Sequence, residues 1–236
     1  MNPIEEFRDI IGHLKKLMAA NRDFGFEFKS VGPSPDEIRG QAPSQPGTLE
    51  ELRDFIGDCK KCKLSQGRNR LVFGEGSPHA KLLFVGEGPG REEDLEGRPF
   101  VGEAGKLLTR IIEKGMGLKR KDVYICNVVK CRPPGNRDPE RDEIDTCIPF
   151  LKEQIRLIGP DVICVLGRIA GQELLGRDFK ITKERSIWHS YMDIPVMATY
   201  HPAYIVRNPA RERQLKADVW KDVQKIMARL GLEVKT

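Results

Sequence analysis

Four short apolar runs punctuate the chain from residue 82 onward: Leu82-Leu83-Phe84-Val85, Val123-Tyr124-Ile125-Cys126-Asn127-Val128-Val129, Asp161 to Leu166 and Ile194 to Thr199. Short apolar runs bounded by turn residues predict strands buried on both faces of a sheet. The stretches between them carry helix signals. One helix starts near Gly102 or Glu103 and runs through Ile112. Another opens at Asp138-Pro139, with Asp as cap and Pro at the first position, and ends near Gly159. A short helix covers residues 168–175, and Asn208-Pro209 caps a last one that ends near Leu230-Gly231. Strands alternating with helices imply parallel pairing. The expectation is an α/β fold, a three-layer α/β/α sandwich on a central parallel four-stranded sheet.

The pattern changes upstream. Residues 3–20 place Ile4, Phe7, Ile11, Leu14 and Met18 at helical spacing, an amphipathic helix suited to docking or self-association. From Asp23 to Gly47 the period vanishes, and Pro33, Pro35, Pro43 and Pro46 mark a linker. Thr48-Leu49-Glu50-Glu51 reads as a capping box opening a helix that ends at Gly57. Three segments are therefore expected: an N-terminal helix at 1–22, a linker at 23–47 and a main domain at 48–236.

Composition narrows the class. Of 236 residues, 39% are hydrophobic and 32% charged, with a net charge of +5. That is a mild bias toward a polyanionic partner. No run approaches the roughly eighteen apolar residues of a membrane span. Glu5 and Glu6 stand where a secretory leader would be apolar. A cytoplasmic monomer with reduced thiols is expected, with no membrane contact and residues 1–22 available to a protein partner.

The loop after the first strand concentrates candidate chemistry: Gly86-Glu87-Gly88-Pro89-Gly90, then Glu92, Glu93 and Asp94. Glycine-rich loops at the carboxyl ends of parallel strands build ligand sites. This one is no dinucleotide fingerprint, because Pro89 has no N–H to offer a phosphate and the carboxylates would repel one. It suits something flat and uncharged. The loops after the other strands bring Asn127 and His201 to the same face.

Cys126 and Cys164 sit in strands as small apolar residues. Cys59, Cys62, Cys131 and Cys147 lie in loops or at helix ends, in the pattern C-x2-C-x68-C-x15-C. A CxxC is a two-ligand clip for a thiolate site. The second half is not a clip, which disfavours a zinc ribbon. Four thiolates suit zinc or an iron–sulfur cluster, and spacing does not choose. Lys60, Lys61, Lys63, Lys130 and Arg132 near these cysteines suggest a basic surface.

With GEGPGREEDLEGRPFVGEAGKLL, NVVKCRPP, HPAYIVRNP and the four cysteines in view, the chain resembles a family 4 uracil-DNA glycosylase over about residues 48 to 230. The resemblance implies an α/β/α fold, a [4Fe–4S] cluster on Cys59, Cys62, Cys131 and Cys147, and uracil-containing DNA as partner. It implies a substrate pocket of Gly86, Glu87, Gly88, Glu93, Phe100, Asn127 and His201. Asn127 would read the uracil edge, Phe100 would stack on the base, and His201 would donate to uracil O2. Tyr204, Ile205, Val206 and Arg207 would face DNA. Better-known uracil glycosylases carry an Asp where Gly88 stands, so the direct water-activating base is missing; of the nearby carboxylates Glu87 and Glu93, Glu87 is the candidate catalytic one. The first rival is a uracil-DNA-binding protein of the same superfamily that forms a tight or covalent complex without turnover, with His189 as its reactive group. A phosphate-handling α/β enzyme and a non-catalytic iron–sulfur DNA-binding module are further rivals.

Overall fold

The structure is a computed structural model that describes residues 46–233. The expected amphipathic helix at 1–22 and the linker as far as residue 45 lie outside the described residues. The described chain opens with α1, Leu49–Ile56, whose start follows the capping-box logic. Thr48 Oγ1 accepts from Glu51 N at 3.1 Å. The Glu51 carboxylate reaches back to the amide of Gly47, at 2.6 Å, rather than to that of Thr48.

Six strands follow: β1 Glu75–Gly76, β2 Leu82–Gly86, β3 Tyr124–Asn127, β4 Val162–Leu166, β5 Trp188–Tyr191 and β6 Ile194–Thr199. Their order is β1-β3-β2-β4-β6-β5. The four apolar runs are the four central strands, and they pair in parallel, with Gly86 opposite Asn127 and Leu166 opposite Thr199. The sheet nevertheless has six strands, not the four expected. Both additions are antiparallel edges. β1 is too short to make a pattern, and β5 alternates exposed and half-buried residues on the sheet rim, so neither produces an apolar run.

The remaining helices are α2 Arg91–Glu96, α3 Glu103–Arg110, α4 Arg141–Ile158, α5 Arg168–Leu175, α6 Ile181–Glu184, α7 Pro202–Val206 and α8 Glu212–Arg229. Alternate strand residues face opposite sides. Leu83, Val85, Cys126, Ile163, Val165 and Ala198 pack with α1, α4 and α5. Leu82, Phe84, Ile125, Cys164 and Met197 pack with α3, α7 and α8. Two apolar layers flank the sheet, as a three-layer sandwich requires. Cys126 and Cys164 are fully buried, as expected of strand residues.

Two helix starts differ from the expectation. α4 is capped at Glu140, not Asp138, because the buried Glu143 carboxylate accepts from Glu140 N at 2.7 Å and from the Arg137 fork at 2.7 and 2.8 Å. Asp138 is instead drawn to Arg168. Asn208-Pro209 opens a 3-10 turn, Pro209–Arg211, and α8 begins after it.

Candidate active site

β3 and β4 lie on opposite sides of β2, so the loops leaving their carboxyl ends part there and open a crevice. A cavity of about 570 Å³ occupies it. Its wall takes Glu87 and Gly88 after β2, Asn127 at the end of β3, Gly167 and Arg168 after β4, and His201 after β6. The parallel ladder continues briefly beyond the strands, with Val128 N donating to Gly86 O at 2.9 Å and Val129 N to Glu87 O at 3.1 Å. That holds Glu87 and Asn127 side by side.

Asn127 is buried, and its Oδ1 has no hydrogen-bond partner among the described residues. An unpaired buried acceptor is costly, on the order of 1–3 kcal/mol. It is an acceptor held ready for a donor from outside the chain. Gly86 lies directly beneath it. A Cβ there would stand 2.4 Å from Asn127 Oδ1 and 2.6 Å from Phe100 Cζ. Phe100 is itself held at φ +52°, a region that costs a bulky residue free energy. Gly105 of α3 makes room for that backbone, since a Cβ on it would meet the Phe100 carbonyl at 2.0 Å.

Glu93 enters the cavity wall, but its carboxylate is already engaged. Oε1 accepts from Val101 N at 2.8 Å and Gly102 N at 2.9 Å, and Oε2 accepts from Gly90 N at 3.1 Å. It clasps the two ends of the loop that presents Phe100. The acidic residues expected in a loop, Glu92, Glu93 and Asp94, instead lie in the short helix α2, with Gly90 as its N-cap. Glu87 has no such clasp. Burial, then the nearby Asp138, push its carboxyl up to about 7, while Arg168 and Arg207 pull it down.

His201 caps α7: its Nδ1 accepts from Ala203 N at 3.1 Å. A nitrogen that accepts from an amide carries no proton, so the neutral ring holds its proton on Nε2. Burial, helped by Arg207, lowers the imidazole to about 4, so the ring is neutral at physiological pH. Its plane leans toward Phe100, with ring centroids 5.5 Å apart. Gly167 approaches its Cβ closely at φ +91°. Thr199, two residues earlier, donates to the buried Asp222 at 2.6 Å, and Arg185 forks onto the same carboxylate and lies over Tyr200 at 5.1 Å. The end of β6 is thus fixed from three sides.

Residues 73–224 match the model of the uracil DNA glycosylase superfamily. The type-4 uracil-DNA glycosylase of Sulfurisphaera tokodaii is 49% identical over 182 residues, covering 74% of this chain and 83% of the relative. That of Thermotoga maritima is 45% identical over 184 residues, covering 75% and 94%. That of Archaeoglobus fulgidus is 41% identical over 184 residues, covering 73% and 92%. The chain belongs to the type-4 uracil-DNA glycosylases.

Of the four cysteines of this type-4 chain expected in loops or at helix ends, Cys59, Cys62 and Cys131 lie outside the α-helices and strands, but Cys147 stands in the second turn of α4. Cys131 and Cys147 are buried, and Cys59 and Cys62 half-buried. Burial raises the Cys131 thiol while Arg68 lowers it, and burial pushes the Cys147 thiol up to about 11 while Lys130 lowers it; Cys62 adds a smaller upward push to both. Arg68 donates to Cys131 Sγ at 3.1 Å and Lys130 N to Cys147 Sγ at 3.3 Å.

Three expectations about the DNA face are corrected. Ile205 is 1% exposed and packs among α3 and α8, so it does not reach a duplex. Its place at the centre of a helical turn turns it inward, while Tyr204 and Val206 are exposed on either side. Lys130 is buried rather than part of a basic surface. Lys63 is held by Glu140 at 2.5 Å and Asp142 at 3.0 Å, so its charge is already matched. His189 sits on β5 with Nε2 3.3 Å from Glu184 O and does not line the cavity. Sequence reading missed Arg168 and Asp138, which face each other across the cavity rim. For Arg168, two residues past β4, that place was the available signal; Asp138 lies late in the long loop between β3 and α4, where no such signal marks it.

Among the described residues no helix is long and apolar enough to cross a membrane.

Proposed function

We propose that this protein excises uracil from DNA by hydrolysing the N-glycosidic bond, releasing uracil and leaving an abasic site. The observation that carries the reading is the unpaired Asn127 Oδ1 beside a neutral, Nε2-protonated His201 in one cavity. A base within a duplex must be flipped out to be reached and is then read on its Watson–Crick edge. Uracil presents an N3–H donor and an O4 acceptor there, which the Asn127 amide complements with Oδ1 and Nδ2. Phe100 stacks on the base face. As the glycosidic bond lengthens, negative charge moves onto the base, and the His201 Nε2–H donates to O2. A fixed donor in a water-poor cavity stabilises that charge without reorganising. Glu87 faces the sugar, where positive charge develops, and its ionised form is the one that helps. Tyr204 and Arg207 at the mouth meet the DNA strand, with Arg207 on phosphate.

We further propose that Cys59, Cys62, Cys131 and Cys147 hold a [4Fe–4S] cluster. Iron rather than zinc rests on the type-4 family resemblance, and the donor set of four thiols suits it. Among the described residues no group of three or more His, Cys, Asp or Glu side chains is drawn together around a single metal ion. The buried Lys130, without a carboxylate among the described residues, also fits a neighbouring group of negative charge. When bound, the cluster cross-links the Cys59–Cys62 loop to the segment carrying Cys131 and Cys147, and so adds folding free energy.

The test is single-turnover release of uracil from a single-uracil oligonucleotide. His201→Ala and Asn127→Ala should each slow release by about 3 kcal/mol or more, roughly a hundredfold, with the fold intact by circular dichroism. A denaturation-resistant adduct without turnover would favour the covalent binder instead. Near-normal excision by Asn127→Ala would show that another residue reads the base.

A further inference from the structure

Lys130 is the one lysine or arginine among the fully enclosed side chains of the described residues, at 1% exposure. A buried cation is costly unless an anion compensates it. Its Nζ meets only neutral acceptors, Asn127 O at 2.7 Å and Gln154 Oε1 at 2.5 Å. Gln154 is held in place in turn, since its Nε2 donates to Phe73 O at 2.9 Å. The ammonium therefore has fixed hydrogen bonds and no carboxylate.

The same residue touches two sites. Its backbone N–H donates to Cys147 Sγ, and its covalent neighbour is Cys131. Its side chain folds back over three residues to the carbonyl that ends β3, and that residue carries the base-reading amide. The Asn127 side chain has no internal hydrogen bond at Oδ1, so its aim depends on how firmly its backbone is held.

We propose that Lys130 is a positioning residue that couples the cysteine-held cluster to base reading. Its ammonium is the buried counter-charge of the cluster, and its hydrogen bond to the Asn127 carbonyl fixes the strand end on which the reading amide stands. This rests on the cluster and on the Asn127 role proposed above. The electrostatic consequence has a definite sign. A nearby cation favours the more negative, reduced cluster, so removing it lowers the midpoint potential.

The test uses the full-length, cluster-loaded protein and two variants. Lys130→Met keeps the length of the side chain but removes both the charge and the clamp. Gln154→Glu leaves an acceptor for Nζ and adds a carboxylate that offsets the cation, at the loss of the Nε2 donor to Phe73 O, so its fold is checked by circular dichroism. Iron content, midpoint potential by electron paramagnetic resonance titration, and kcat/KM on a uracil oligonucleotide are measured for each. Lys130→Met should lower the potential and cut kcat/KM by roughly tenfold, within the range of site–site coupling. Gln154→Glu should lower the potential while kcat/KM stays near wild type. Should Lys130→Met fail to load iron, the potential of Gln154→Glu decides, and an unchanged value overturns the proposal. Unchanged excision by iron-loaded Lys130→Met overturns it too. Wild-type protein without iron or uracil release would sink the earlier reading instead, so the two failures are distinguishable.

Discussion

The carboxyl of Glu87 should set the pH dependence of excision, and its neighbours say which way the inflection moves. Burial and Asp138 push it from 4.5 to about 7, against Arg168 and Arg207. If the ionised form assists bond cleavage, single-turnover uracil release should rise with pH through about 7. Asp138→Asn removes a negative neighbour and should move the inflection down. Arg207→Gln removes a positive one and should move it up. His201 adds no break in this range, because its neutral form persists down to about 4. The same shift has a cost in stability. The folded value lies above the unfolded one, so the contribution is present below about 4.5 and lost as pH rises through about 7. It amounts to at most about 3 kcal/mol, reduced because Glu87 keeps some surface on the cavity. Glu87→Gln should therefore match wild type in thermal midpoint near pH 4.5 and exceed it at pH 8, with a flat and lowered rate profile. An inflection that ignores both neighbour substitutions, or a midpoint difference independent of pH, would refute the reasoning.

Gly86→Ala should cripple excision while leaving the sheet intact, since the added methyl would stand 2.4 Å from Asn127 Oδ1 and 2.6 Å from Phe100 Cζ; the check is uracil release alongside circular dichroism. Cys147→Ala should lose iron and sulfide and lower the thermal midpoint, whereas Cys126→Ala, in a buried strand, should keep its iron. Metal analysis of anaerobically purified protein decides between them, and zinc without iron in the wild type would sink the cluster.

The parts of the fold that sequence revealed are those where burial on both faces leaves an unbroken apolar run. β2, β3, β4 and β6 are such strands. β1 and β5 were illegible because a rim strand has no continuous apolar requirement, and Trp188 to Tyr191 form no unbroken apolar run. The strand-end rule was enough to bring Glu87, Asn127 and His201 to one face. It did not show what each side chain was already doing. Glu93 looked as free as Glu87, yet three backbone amides occupy it. Ile205 looked as exposed as Tyr204 within the same apolar turn, and only the packing of α7 on α3 and α8 separates them. Lys130 sat in a run of basic residues, and no local pattern marks a lysine that folds back onto its own strand.

The absence of an Asp at Gly88 shifts weight onto charge stabilisation. A dissociating glycosidic bond leaves an anionic base and a cationic sugar, and a cavity can help both without a strong base for water. In the function proposed above, His201 would meet the first need as a neutral donor. A permanent imidazolium would add a buried charge that the resting enzyme must carry, and burial together with Arg207 excludes it. In the same proposal Glu87 would meet the second need only when ionised, and desolvation would make its interaction with a nearby cation stronger than in water. The same desolvation raises its pKa, so burial works against the ionised form. Arg168 and Arg207 at the rim offset part of that rise by favouring the carboxylate, and Arg168 also engages Asp138, the negative neighbour that opposes it. If Arg207 meets a phosphate as proposed, it would give up part of its hold on Glu87, and DNA docking would then weaken the support of the ionised form.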